Sequence, residues 1–286
     1  MTHRPQWQKP RSRTRHPHLR VLFENVPLDA PQRLDTHHYL TEKKWERFYA
    51  PLLPEKGDLW INGEEAHHML HVKRLKPGER LLLFDGNGRE AVVRIVETRR
   101  DRALVAIERV EEVNREAGIS ITLAFSAPKG KRSEFLVQKC CELGVRRLIP
   151  LECERSVVKL APEGSLKAER WRSVAVEASK QCGRTYITEI SEVLGFSRLM
   201  DMAGDYQPKF LASTGPEASP LSEGVRNNAD PRDILCIVGP EGGFSNKEID
   251  SALRVGCIPV SLGPAVLRTE TASVALVSML LYAYSI

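Results

Sequence analysis

The residues best placed to do chemistry lie near the C-terminal end, in the stretch ILCIVGPEGGFSNKEIDSALRVGCIPVSLGPAVLRTETA over 234–272. Two apolar runs there, 234–238 and 257–262, each stop on glycine and proline: Gly239-Pro240-Glu241-Gly242-Gly243 after the first and Gly263-Pro264 after the second. Two such strand-then-loop units side by side leave backbone N–H and C=O groups free to meet a small ligand beyond the carboxyl ends of the strands. The first loop has neither the lysine nor the spacing of a P-loop, and it is not G-x-G-x-x-G, so a phosphate is a poor fit. A neutral or zwitterionic molecule held by main-chain groups fits better. Charged residues beside the loops are few. Arg268 and Glu270 flank Thr269 where a last helix opens, and Glu241 stands in the facing loop. A cation at a helix start opposes the dipole and needs another partner, which suits Arg268 to anchoring an anion or a phosphate. Glu270 or Glu241 could act as a base, although Glu270 could equally be a first-turn carboxylate complementing the dipole. All eight histidines lie at or before His71, so the C-terminal half can offer no imidazole for general-base work.

Positioning these loops takes strands that end on them and helices that carry the chain back. Ser245 with Glu248 three residues on predicts a capping box and a helix start. Upstream, strands and helices alternate: strand 119–125, helix 133–143, strand 147–151, helix 165–182, strands 187–191 and 209–213, then the two terminal units. This order argues for an α/β domain over 119–286, a mainly parallel sheet covered by helices. Gly144 stands where a helix C-cap belongs. Before it, 113–118 reads as a polar linker and 46–112 as a small β domain. In the β domain the runs 80–84 and 90–96 flank Asp85-Gly86-Asn87-Gly88, a hairpin signal, and 103–110 is a third strand. A short helix over 64–72 carries His67, His68 and His71. His67 and His71 are one turn apart, but no third ligand of fitting spacing follows, so no metal site is expected.

With 286 residues the chain is long enough for two cores. No apolar run reaches the ~18 residues of a membrane span, and the polar, proline-rich start is not a secretory signal. The six cysteines, none in a C-x-x-C pair, read as reduced core residues of a cytoplasmic protein. The net charge of +5 belongs to the first 45 residues, where nine Lys/Arg face four Asp/Glu. That segment reads as a disordered basic extension, or alternatively as an arm touching RNA phosphates. Any nucleic-acid surface on the balanced remainder must come from local clustering. Lys129, Lys131 and Arg132 form an acid-free run; Arg155, Lys159 and Arg184 are further candidates. Glu177, Gln181 and Arg184 would share one helix face.

The ordered set GPEGG and LRTETA, with Gln138–Val145, Glu154-Arg155-Ser156, Arg170-Trp171, Glu177–Arg184, His67-His68 and Arg74-Leu75-Lys76-Pro77-Gly78, resembles the knotted (SPOUT-class) methyltransferases. More closely it is similar to the RsmE-type 16S ribosomal RNA uridine-N3 methyltransferases. The likeness runs from about residue 47 to the end. It implies a PUA-like RNA-binding β-barrel before a knotted domain, a homodimer whose sites borrow from the partner, and S-adenosylmethionine as methyl donor. Leu211, Gly239, Gly242, Leu262, Gly263, Leu267 and Thr269 are the cofactor-binding positions it implies. Beside these, charge and position make His68, Arg74, Lys129, Lys131, Arg132, Arg155 and Arg184 the RNA-binding candidates, and Arg268, Glu270 and Glu241 the catalytic ones. Methylation at uridine N3 requires loss of an imide proton, so a base must take it or the site must stabilise the anion over O2 and O4. Two positions depart from the family pattern: Ala265 replaces a usual basic residue, and the strand 210–214 lacks the acidic or histidine side chain that often follows it. Two rival readings are an enzyme of the same class acting on another RNA nucleotide, and a non-catalytic RNA-binding assembly factor.

Overall fold

The computed structural model describes residues 45–158 and 166–284. The basic extension expected over 1–45 therefore lies outside the described residues apart from Trp45, as does the RNA candidate Lys159.

The first layer holds β1 (Arg47–Tyr49), β2 (Asp58–Ile61), α1 (Gly63–His67, continued as a π-helical turn His68–Val72), β3 (Arg80–Phe84), β4 (Arg89–Thr98) and β5 (Ala103–Glu112). Its sheet runs β1-β3-β4-β5-β2. The β3–β4 hairpin predicted from Asp85-Gly86-Asn87-Gly88 is antiparallel, Leu82 opposite Val92. Alternation places Leu81, Leu83, Ala91, Val93, Ile95, Ala103 and Val105 in one core with Phe48 and Met69. Two strands were not individually foreseen. β1 and β2 are three and four residues long, too short for periodicity to declare them.

After 113–118 come β6 (Ser120–Ser126), α2 (Lys131–Glu142), β7 (Arg147–Glu152), α3 (Leu166–Cys182), β8 (Glu189–Ile190), β9 (Leu194–Gly195), α4 (Phe196–Met202), β10 (Lys209–Ala212), β11 (Ser219–Pro220), α5 (Leu221–Arg226), β12 (Asp233–Val238), α6 (Asn246–Arg254), β13 (Ile258–Ser261) and α7 (Thr269–Tyr284). The strand order is β11-β13-β10-β12-β6-β7-β8, with β9 beside β7. Each pairing in this sheet is parallel. The sheet is buried on both faces: β12 reads Ile234-Leu235-Cys236-Ile237-Val238 without a polar break, and all five are at most 3% exposed. Even positions join one core with α2, α3 and α7, odd positions the other with α4 and α6. Gly144 closes α2 in the left-handed conformation, φ 84°, with Val145 N–H donating to Cys140 O and Gly144 N–H to Cys141 O, a Schellman motif. The strand expected over 187–191 shrinks to two residues, and α4 and α5 were not foreseen.

The two layers meet at the amino ends of the parallel strands. Arg47 donates to the carbonyls of Gly183 and Arg184, both at 3.0 Å, and pairs with Glu90 at 2.7 Å. Gly88 N–H donates to Thr185 O, and Ile187 N–H to Gly86 O. The hairpin turn thus plugs into the loop entering β8. Gly88 has φ 102°, and a Cβ there would collide with the Tyr186 hydroxyl, so only glycine serves. Lys180, 8% exposed, reaches Glu65 of α1 at 2.9 Å.

Candidate active site

Three neighbouring strands, not two, deliver loops to one end of the sheet. The expectation placed the two glycine loops on adjoining strands. Instead β10 lies between their strands, with Ala212 opposite both Val238 of β12 and Val260 of β13. Sequence order gave no sign of this, because register between distant strands is set by which apolar faces pack. The three loops enclose a cavity of about 360 Å³ lined by Ser213 to Glu217, Gly239 to Phe244, and Leu262, Gly263 and Ala265 to Leu267, with Thr269 and Ala272 behind. That volume lies within the usual range for small-molecule sites.

Local chemistry fixes each wall. Ser245 caps α6: its side chain accepts from Glu248 N–H, and Glu248 accepts from Ser245 N–H at 2.8 Å, the capping box the sequence predicted. The second Glu248 oxygen accepts from Glu154 N–H at 2.8 Å, drawing the loop after β7 to the same place. From that loop Arg155 donates to Gly242 O at 3.1 Å and Phe244 O at 3.2 Å. Gly239 must be glycine, since a Cβ would stand 2.8 Å from the Phe244 ring. Gly263 has φ 135°, which other residues avoid. Thr269, 4% exposed, donates its hydroxyl to Gly239 O at 3.0 Å and so binds the last helix to the first glycine loop.

Of the cofactor positions read from the resemblance, Gly239, Gly242, Leu262, Gly263, Leu267 and Thr269 line the cavity. Leu211 does not: fully buried, it packs with Leu235, Ile237 and Ala252 in the second core, and its neighbour Ala212 forms the wall. Alternation along β10 explains the displacement, because Leu211 and Ala212 face opposite sides. Glu217 was missed. It lines the cavity, accepts from the Ser213 hydroxyl, and reaches no cation among the described residues. It supplies an acidic side chain after β10 that the stretch 210–214 lacks; the signal was present three residues further on.

The charged candidates divide. Arg132 pairs with Glu241 and stands 3.8 Å from Glu270, so α2, the glycine loop and α7 share one ionic contact. Pairing with Glu241 pushes the Arg132 guanidinium up from its ordinary pKa. Glu270 is 7% exposed and its Oε2 has no hydrogen-bond partner; the hydroxyl of Ser273, one turn on, is likewise buried and unpaired. Arg268 is exposed and makes no ion pair among the described residues, which fits a group waiting for an external partner. Lys129 and Lys131 are exposed at the start of α2, and Arg74 is exposed with φ 56°. His68 is half-buried, 5.7 Å from the Phe48 ring and 3.4 Å from Lys180 Nζ. Arg155 borders the cavity, holding carbonyls. Arg184 contradicts its assignment as an RNA contact. Only 5% exposed, it donates to Glu116 at 2.9 Å, Cys141 O at 2.7 Å and Thr188 Oγ1 at 2.8 Å. It also lies beyond the end of α3 at Cys182, so it shares no helix face with Glu177 and Gln181. His67 and His71 rings lie 5.0 Å apart.

The site fits S-adenosylmethionine on its own chemistry. Glycines bring main-chain groups to the cavity, Leu262, Leu267 and Val238 offer an apolar slot, and the one lining cation among the described residues, Arg155, is turned to the carbonyls of Gly242 and Phe244. A family model described as an RNA methyltransferase domain matches residues 115–281, and one described as an RNA methyltransferase PUA domain matches 61–108. The ribosomal RNA small subunit methyltransferase E of Bacillus subtilis is 32% identical over 227 residues, 78% of this chain and 89% of its own length. A Legionella pneumophila methyltransferase solved with its cofactor SAM superposes with TM-score 0.79 at 33% identity, covering 85% of this chain and 99% of that one. A ribosomal RNA small subunit methyltransferase E from Neisseria gonorrhoeae, bound to S-adenosyl methionine, gives 0.75 at 29% identity over 84% and 98%.

Proposed function

The chain belongs to the ribosomal RNA small subunit methyltransferase E family, and from that membership we propose that it methylates N3 of a uridine in small-subunit ribosomal RNA. The observation that carries the reading is the Thr269–Gly239 bond, which closes two loops of the family's signature around one cavity. S-Adenosylmethionine, when bound, supplies an electrophilic methyl group. The residues do the rest. Main-chain groups of Gly239, Gly242 and Gly263 hold the donor, and Phe244 and Val238 keep water from its apolar flank. The uridine imide must lose its N3 proton. Glu241 lines the cavity but is held by Arg132; Glu270, 3.8 Å from the same guanidinium, keeps its Oε2 buried and without a hydrogen-bond partner, and is the carboxylate we assign to take the proton. Arg268, exposed beside Thr269, meets the negative charge spread over the uracil oxygens or the adjacent phosphate.

Arg268→Ala tests this reading. Calorimetry with S-adenosylmethionine should give unchanged affinity, while methyl transfer to small subunits from a strain lacking the enzyme drops on the order of 100-fold, the usual loss of one transition-state donor. Mass spectrometry of nucleosides from those subunits identifies the methylated position; a product other than N3-methyluridine would move the substrate assignment to another nucleotide. Failure of the wild-type protein to bind S-adenosylmethionine would favour an assembly factor.

A homodimer completes the proposal. The β domain contacts the amino ends of the strands while the cavity opens at their carboxyl ends, and a six-residue strand spans about 20 Å. RNA held by the β domain is thereby kept away from the same protomer's cavity, and a second copy can offer its own. The exposed apolar side chains of Phe135 on α2 and Met279 and Tyr282 on α7 offer the surface, with exposures of 48%, 42% and 67%. Light scattering should give twice the mass of one chain, and Tyr282→Glu should give monomer. The site of action follows from the substrate: ribosomal subunits are assembled in the cytoplasm. Among the described residues no helix is long and apolar enough to cross a membrane.

A further inference from the structure

A second surface, none of whose residues lines the cavity, lies at the tip of the β4–β5 hairpin. The turn Arg99-Arg100-Asp101-Arg102 carries three guanidinium groups, and Trp60 of β2 lies beneath two of them. Arg99 stands 4.9 Å and Arg102 4.5 Å from the indole centroid. Trp60 sits there by register, since it pairs with Leu104, two residues past the turn. The π-helical turn joins the same place, because His71 Nε2 lies 3.1 Å from the Arg100 carbonyl. Two residues beyond that turn, Arg74 is exposed on a left-handed backbone.

The charges in this patch are largely uncompensated. Arg99 is neutralised by Glu97 at 2.6 Å, and Asp101 is the other acid at the tip. Arg74, Arg100 and Arg102 reach no carboxylate among the described residues. The remainder of the chain after residue 45 has balanced charge, so this is a local concentration rather than a general basicity. A guanidinium held over an indole by cation–π attraction loses side-chain freedom while keeping its N–H donors for another partner. Arg102 so held, with Arg100 on the same turn, offers donors that fit the phosphates of RNA, and arginine next to tryptophan is also chemistry that stacks on bases.

We propose that Trp60, Arg74, Arg100 and Arg102 form an RNA-docking surface separate from the methyl-transfer cavity. This rests on the ribosomal RNA reading and names the face of the β domain that meets the substrate. Arg74, Arg100 and Arg102 grip phosphates, and Trp60 holds Arg102 in place with Arg99 over the same ring. The residues position RNA and take no part in methyl transfer.

The experiment compares the full chain with an Arg100→Gln/Arg102→Gln variant, with Trp60→Leu, and with Arg109→Gln as a control on the paired Arg109–Glu111 site of β5. Affinity for naked small-subunit ribosomal RNA and for unmethylated small subunits is measured across a salt series. S-Adenosylmethionine affinity is measured separately by calorimetry. The double variant should bind naked RNA about tenfold more weakly, with the salt dependence shallower by about 0.7 to 0.9 for each phosphate no longer neutralised. Its kcat at saturating subunits and its affinity for the methyl donor should be unchanged, and KM raised. Trp60→Leu should weaken binding with a smaller change in salt slope; if it fails to fold, Arg102→Gln alone carries the test. Wild-type RNA affinity and slope in the double variant would overturn the proposal. So would weakened binding to subunits with unchanged binding to naked RNA, which would make the partner a ribosomal protein. Absence of methyl transfer by the wild-type protein would instead overturn the reading of function, leaving the RNA-affinity result to decide the docking surface.

Discussion

Glu217 shows how one side chain can change the electrostatics of an otherwise main-chain site. Its carboxylate borders the cavity with only the Ser213 hydroxyl as partner, while Glu241 is held by Arg132. A bound S-adenosylmethionine carries a sulfonium that this charge would favour. Glu217→Gln should therefore weaken S-adenosylmethionine about tenfold, close to 1.4 kcal/mol, and weaken S-adenosylhomocysteine less. Equal losses in calorimetry would place the carboxylate against the ribose hydroxyls instead. The residue scale also shows where spacing arguments mislead. Leu211 and Ala212 are adjacent, yet only the second faces the cavity, because neighbouring strand residues point to opposite sides. Arg184 carries the right charge in a helical register that looks favourable, but its donors are spent on Glu116, Cys141 O and Thr188.

At the level of elements, the capping box on α6 links folding to the site. Ser245 and Glu248 satisfy each other's backbone donors, and the same Glu248 anchors Glu154. Ser245→Ala should lower stability by about 1 kcal/mol, as N-cap losses usually do. It should also loosen the Gly239–Phe244 wall, so S-adenosylmethionine affinity should fall with it in calorimetry; an unchanged affinity would confine the cap to a folding role. Long elements were legible from pattern: α2, α3, α6 and α7, with β3, β4, β6, β7, β10, β12 and β13, fall within a few residues of expectation. The elements that escaped, β1, β2, β8 in its short form, β9, β11, α4 and α5, are two to seven residues long. Segments of that length hold too little periodicity to outweigh local propensity, and tertiary packing decides their state.

For the whole molecule, burial predicts thiol chemistry. Cys140, Cys141, Cys153, Cys236 and Cys257 are buried and Cys182 is exposed. Desolvation pushes the Cys141 and Cys257 thiols up to about 11 and Cys153 to about 12. Native protein at neutral pH should accept iodoacetamide at Cys182 alone, and at all six positions after denaturation; peptide mass spectrometry showing native labelling of Cys141 or Cys236 would contradict the packing. The same scale separates what sequence determined from what folding decided. Glycine at 239, 243 and 263, the Ser245–Glu248 pair and the apolar run of β12 each dictate local backbone, since sterics, capping and burial act within a few residues. Sequence thus determined that two glycine loops end strands near a helix start, and that the C-terminal half works without histidine. Insertion of β10 between those strands, docking of the Gly86–Gly88 turn on Tyr186, and the meeting of Arg132 with Glu241 and Glu270 were decided only by tertiary structure. Those pairings join residues far apart in the chain, and their register depends on the packing of whole faces.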